Sequence, residues 1–117
     1  HIVPPTTIGY NDEVTPYPYD LERAKALLEE ARADGVPVDT EIELIGRTGI
    51  FPNGTEVMEA MHAMLSDAGF TVDLNMYDVA EWESFYTKPF AADRPPQIIQ
   101  LQHDNAKGDP VFSMFFK

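Results

Sequence analysis

The side chains able to do covalent or acid–base chemistry are scattered through this 117-residue chain rather than gathered. Ser66, Ser84 and Ser113 lie outside any Gly-x-Ser-x-Gly elbow and have no base nearby in sequence. His1, His62 and His103 have no histidine partner at the helical or hairpin spacing of a metal site. His103-Asp104 makes only a weak metal corner and reads first as a hydrated loop pair. There is no cysteine, which removes disulfides, thiolate catalysis and Cys-type zinc sites. Gly46-Arg47-Thr48-Gly49 is glycine-rich but lacks the Lys and Ser/Thr half of a phosphate loop. With 20 Asp and Glu, a pair such as Glu81 and Glu83 around Trp82 carries little information. Catalysis needs several polar groups converging on one reacting centre. No such set is visible, so the chain reads as non-enzymatic, with no cofactor.

The formal net charge is -12, which repels nucleic acid phosphates and anionic lipid. Nucleic acid is therefore excluded as a partner, and a solvated acidic surface is the simplest reading. No apolar run approaches the roughly 20 residues that span a bilayer. No signal peptide is visible, the chain begins at His1, and it ends in Val111-Phe112-Ser113-Met114-Phe115-Phe116-Lys117. That apolar end reads as interrupted, so the expectation is an excised or processed piece of a longer protein.

The elements that would position any site follow from caps, breakers and periodicity. Residues 1–19 are rich in Pro, Thr and Tyr and read as an extended arm, with residues 20–117 as the folded part. Asp20 is a strong N-cap, and Ala24, Leu27, Leu28 and Ala31 share one face of a helix over 21–33. Gly35 and Pro37 stop it. Residues 41–45 alternate, predicting a strand with Ile42 and Leu44 inward, followed by a loop from Gly46. Asn53 and Glu56 resemble a capping box, which explains Asn53-Gly54-Thr55 better than a glycosylation sequon does. The second helix then runs over about 54–67, with Val57, Met61, Met64, Leu65 and Ala68 inward and Gly69 at its end. Its methionines read as adaptable core packing, and His62 as a surface or partly buried structural residue.

Residues 71–77 alternate again, with Val72, Leu74 and Met76 on one side. Asp78 can cap a third helix to about Thr87, whose apolar face carries Trp82, Phe85 and Tyr86. After Pro95-Pro96 a short apolar strand covers 98–101. The order helix-strand-helix-strand-helix-strand predicts an α/β fold with a mainly parallel sheet. Ligands of such folds sit at the loops after the strands, here from Gly46, Asp78 and Gln102.

Four segments, in order, resemble one family. Tyr17-Pro18-Tyr19-Asp20-Leu21-Glu22-Arg23-Ala24-Lys25-Ala26-Leu27-Leu28-Glu29-Glu30-Ala31 is similar to the Tyr-Asp-Pro-Glu-Lys-Ala-Lys-Ala-Leu-Leu-Ala-Glu-Ala phrase of extracytoplasmic solute-binding proteins of the peptide/nickel type. Leu44 to Asn53 resembles the family's strand and Gly-Arg-x-Pro-Asn loop. Leu65-Ser66-Asp67-Ala68-Gly69-Phe70, the strand after it and Asp78-Val79-Ala80-Glu81-Trp82 resemble its helix–turn–strand–helix stretch. Gln102 to Phe112 resembles its Gly-Trp-x-x-Asp-Asn-x-Asp-Pro-x-x-Phe loop. Leu21 stands where the family has Pro. Gln102-His103 or Leu101-Gln102 stands for Gly-Trp, removing an aromatic wall, and two further residues lie between Asn105 and Asp109.

The resemblance implies most of the C-terminal lobe of a two-lobed periplasmic-binding-protein-like fold. It implies a non-catalytic substrate-binding component of an ABC importer, periplasmic or extracytoplasmic and held at the membrane by its permease. The small solute would be a peptide first, with a nickel chelate or a sugar as the other options. It puts ligand binding on Arg47, His103, Asp104 and Asn105. Asp104 matches the residue that meets a peptide's terminal ammonium in peptide-binding relatives, or else is a turn residue bonding its own backbone. Arg47 either faces the cleft and meets a carboxylate or is a solvated loop arginine. The alternative function is an acidic α/β protein-interaction or regulatory domain that uses the arm of residues 1–19 to dock.

Overall fold

A computed structural model describes residues 5, 6, 8, 10–90 and 92–102. One compact unit spans Asp20–Gln100. It contains, in order, α1 (Leu21–Ala33), β1 (Ile42–Arg47), α2 (Gly54–Ala68), β2 (Val72–Tyr77), α3 (Val79–Tyr86) and β3 (Gln97–Ile99). The strands form one parallel sheet in the order β2-β1-β3, as the helix–strand alternation predicts. The described residues before Asp20 belong to a second unit, in which Asn11 Oδ1 accepts from the Glu13 N–H at 2.9 Å and Tyr17 and Tyr19 are exposed.

Helix starts follow local chemistry closely. The Asp20 carboxylate accepts from the Arg23 N–H at 2.9 Å, a cap that contributes about 1 kcal/mol. Asp78 accepts from both Ala80 and Glu81 N–H, at 2.8 and 3.0 Å, and so fixes the first turn of α3. Asn53 behaves differently from the capping box expected of it. Its side chain makes no cap bond, and its backbone is left-handed, with φ 60. Asn tolerates that conformation better than most residues, so this position selects for backbone geometry. At the far end of α2, Gly69 takes φ 106, and its N–H closes onto Ser66 O.

β1 is the central strand, and this changes its inward face. One-sided alternation predicts Ile42 and Leu44 inward, whereas Leu44, Ile45 and Gly46 are all buried and Ile42 only partly so. A parallel sheet is covered on both faces, so its middle strand buries consecutive residues. Leu44 and Gly46 face α2, where Met58 is buried. Glu43, Ile45 and Arg47 point to the opposite face, where α3 covers the ends of β1 and β2. Burying Leu44, Ile45 and Met58 contributes about 1.5–3 kcal/mol each.

The inward face of α2 also differs from the expectation. Met58 and Ala68 are buried, with His62 and Leu65 half-buried, while Val57, Met61 and Met64 are exposed. α2 carries two apolar stripes, and the sheet takes the one centred on Met58. His62 is half-buried, its Nε2 3.1 Å from Val72 O, in keeping with a structural role. β3 begins one residue earlier than expected and ends sooner, because Gln97 pairs in register with Glu43.

Gly46 is where sheet and helix come closest. A Cβ there would collide with Met76 Sδ and lie 3.1 Å from Met58 Cγ. Gly46→Val is expected to lower unfolding free energy by about 1–3 kcal/mol in chemical denaturation. Adding Met76→Ala should restore part of the loss.

Candidate functional site

With strand order β2-β1-β3, the chain leaves β1 for the neighbour on one side and returns at β3 on the other, so the strand order reverses between β1 and β3. This is the switch point at which open α/β sheets hold ligands. Arg47 is the last residue of β1, not a loop residue as its sequence context implies, and Gln100 directly follows β3. The two are joined across the switch point. The Arg47 N–H donates to Gln100 Oε1 at 3.0 Å, and the Gln100 N–H donates to Ile45 O at 2.8 Å.

The Arg47 side chain is half-buried, and its Cζ stands 5.2 Å from the centre of the Trp82 ring. Its Nε is shut away from solvent without an acceptor among the described residues. Trp82 is 5% exposed, and its indole N–H donates to Gln100 O at 2.9 Å. Tyr86 meets it edge-on at 4.8 Å between ring centres. Thr48 ties the chain after β1 to the end of β2, its N–H and hydroxyl both donating to Tyr77 O at 2.9 and 2.7 Å.

Beneath this edge lies a polar hub on the same sheet face. Glu43 accepts from the Tyr77 hydroxyl at 2.8 Å, from Gln97 Nε2 at 2.7 Å and from Asn75 Nδ2 at 3.4 Å. Arg94 Nε donates in turn to Gln97 Oε1. A half-buried carboxylate with this many donors is satisfied and rigid. The phenol that donates to Glu43 resists ionisation, because losing its proton would destroy that bond, in a partly buried place, beside a negative charge. The Tyr77 pKa is accordingly pushed up to about 12.

Sequence reasoning chose Arg47, His103, Asp104 and Asn105. Arg47 stands at the sheet edge, while His103, Asp104 and Asn105 lie outside the described residues. By sequence Trp82 belongs to an apolar helix face and Gln100 to a strand, and neither pattern brings them to Arg47. The available signal was the Asp78 cap, which sets the register of α3 and thereby turns Trp82 toward the sheet. Among the described residues, no three His, Cys, Asp or Glu side chains gather as a metal site. No helix among them is long and apolar enough to cross a membrane.

Residues 1–116 match the model of the bacterial extracellular solute-binding proteins, family 5, middle region. Similar relatives include di/tripeptide-binding protein 2 of Pseudomonas aeruginosa (strain UCBPP-PA14), 35% identical over 92% of this chain and 19% of the relative. Heme-binding protein A of Haemophilus influenzae (strain ATCC 51907 / DSM 11121 / KW20 / Rd) is 33% identical, with the same coverage. The dipeptide-binding protein of Escherichia coli (strain K12) is 32% identical over 94% of this chain and 20% of the relative. The chain belongs to the family 5 bacterial extracellular solute-binding proteins. It spans about a fifth of the length of the curated relatives it matches. The match favours solute binding over the alternative of an acidic interaction or regulatory domain.

The Glu43–Tyr77 bond makes a pH prediction. A tyrosine whose folded pKa is raised stabilises the fold while protonated. That contribution is whole below pH 10 and is lost as pH climbs from 10 through about 12. Thermal melts of the wild type should therefore fall across that window more steeply than those of Tyr77→Phe. Equal slopes would show that the bond contributes nothing.

Proposed function

We propose that this chain is part of the C-terminal lobe of the substrate-binding component of an ABC importer, and that the solute is a short peptide. The protein would be non-enzymatic, would work outside the cytoplasm and would meet the membrane through its permease. The observation that carries the reading is Arg47. It is a half-buried cation without a carboxylate partner among the described residues, at the sheet's switch point, in a chain with 20 acidic residues. A peptide's C-terminal carboxylate would satisfy it as a charge-assisted, two-pronged acceptor.

Haem shares that chemistry through its propionates, so a carboxylate anchor suits the ligands named for all three relatives above. Peptide is preferred because two of those three are named for peptides. Asp104 is proposed to meet the peptide's ammonium, with His103 and Asn105 beside it in sequence completing the polar set. In two-lobed binding proteins each lobe supplies part of the pocket and closes over the ligand. Arg47 and residues 103–105 would be this lobe's share.

Calorimetry on the intact protein that carries this chain tests the reading. Di- and tripeptides should bind, and haem should not. Arg47→Ala should weaken binding, and Asp104→Ala should weaken peptides with a free ammonium by about 2–5 kcal/mol. Haem binding without peptide binding would overturn the choice of solute. Unchanged affinity in Asp104→Ala would return that residue to a turn role. The isolated chain should bind the same peptides weakly or not at all, since it offers only part of a cleft.

A further inference from the structure

We propose that Trp82 and Gln100 are positioning residues for Arg47, holding its guanidinium over the indole with its donors free for a ligand carboxylate. The inference rests on the reading of Arg47 given above. The chain has four arginines, all of them described. Arg23 pairs with Glu30, Arg32 with Glu29 and Asp39, and Arg94 with Gln97. Arg47 alone makes no side-chain hydrogen bond or ion pair among the described residues, and its Nε is buried without an acceptor.

A buried N–H without an acceptor costs free energy. Something other than hydrogen bonding must therefore hold the side chain where it is. Two contacts do this. The Trp82 ring lies against the guanidinium at 5.2 Å, an attraction that leaves the N–H edge unused. Gln100 fixes the backbone end, accepting the Arg47 N–H with Oε1 at 3.0 Å.

The two supports are themselves locked together. The Trp82 indole N–H donates to Gln100 O, and the Gln100 N–H donates back to Ile45 O on β1. Asp78 fixes the other end of Trp82 by capping α3, and Trp82 N–H closes the first helical bond onto Asp78 O at 3.0 Å. The result is a closed circuit from β1 through Gln100 to α3 and back to the arginine. Its side-chain members leave the guanidinium donors unspent. Such support from residues that never touch the ligand is what keeps a recognition group within the tolerance of directed hydrogen bonds.

The test uses a dipeptide and the same dipeptide with a C-terminal amide, titrated into the intact protein that carries this chain. The readout is the ratio of the two affinities, which a loss of overall stability would not move. Wild type should favour the free acid by about tenfold or more. Trp82→Leu should bring the ratio close to one while the amide still binds. Trp82→Phe keeps an aromatic face and should retain most of the preference. Gln100→Leu, at a half-buried position, should lower the ratio and decides the matter if Trp82→Leu does not fold. A wild-type ratio in both Trp82→Leu and Gln100→Leu overturns the positioning role and leaves the Arg47 reading standing. A wild type that does not distinguish acid from amide overturns the Arg47 reading itself.

Discussion

The structure depends on the burial of β1 from both sides. A middle strand in a parallel sheet has no solvent face, so its neighbours must cover both sides of it. Leu44 and Ile45, adjacent in sequence and both wholly inaccessible, serve the opposite faces. On one face the approach of α2 is set by Gly46, where the missing side chain lets Met58 and Met76 close over the backbone. On the other face the covering helix is short. α3, eight residues long, sets Phe85 against Tyr77 and Trp82 against Arg47, the last residues of β2 and β1. The same constraint that closes the core therefore sets an arginine against an aromatic ring at the sheet edge.

The two faces divide the work differently. The α2 side is apolar, through Leu44, Met58, Ala68 and the Met76 thioether. The α3 side mixes Ile45 with a hydrogen-bonded hub around Glu43, Tyr77, Asn75 and Gln97. Polar groups on a covered face are tolerated only when partnered, and Glu43 has donors from both flanking strands. Each strand is thereby tied to the next through side chains as well as through the ladder. A three-residue β3 has few backbone bonds of its own, so the Gln97 contact to Glu43 matters more to it than a side-chain pair would to a longer strand.

Much of the fold was legible from local signals. Asp20 and Asp78 mark true helix starts, and the order of elements predicts the parallel sheet. What could not be read depends on partners far away in sequence. The apolar residues of α2 form two stripes, and spacing alone cannot say that Met58 rather than Met61 meets the sheet. Glu43 looks like the polar half of an alternation until Tyr77 and Gln97, more than thirty residues away, turn out to be its donors. The candidate site was half legible. Arg47 stood out by its surroundings in a family-like phrase, but its contact with Trp82 joins two elements that no periodicity connects.

Trp82 is the only tryptophan in the chain. Its ring faces the cation proposed to receive the ligand, and its N–H is committed to the residue that holds that cation's backbone. An indole's emission responds to nearby charge and to the hydrogen bond on its nitrogen. The chain therefore carries its own optical probe at the sheet edge, with no second indole in the segment to blur the signal. Neutralising the guanidinium from outside, or tilting it away, would be registered as a change of colour or brightness without any label.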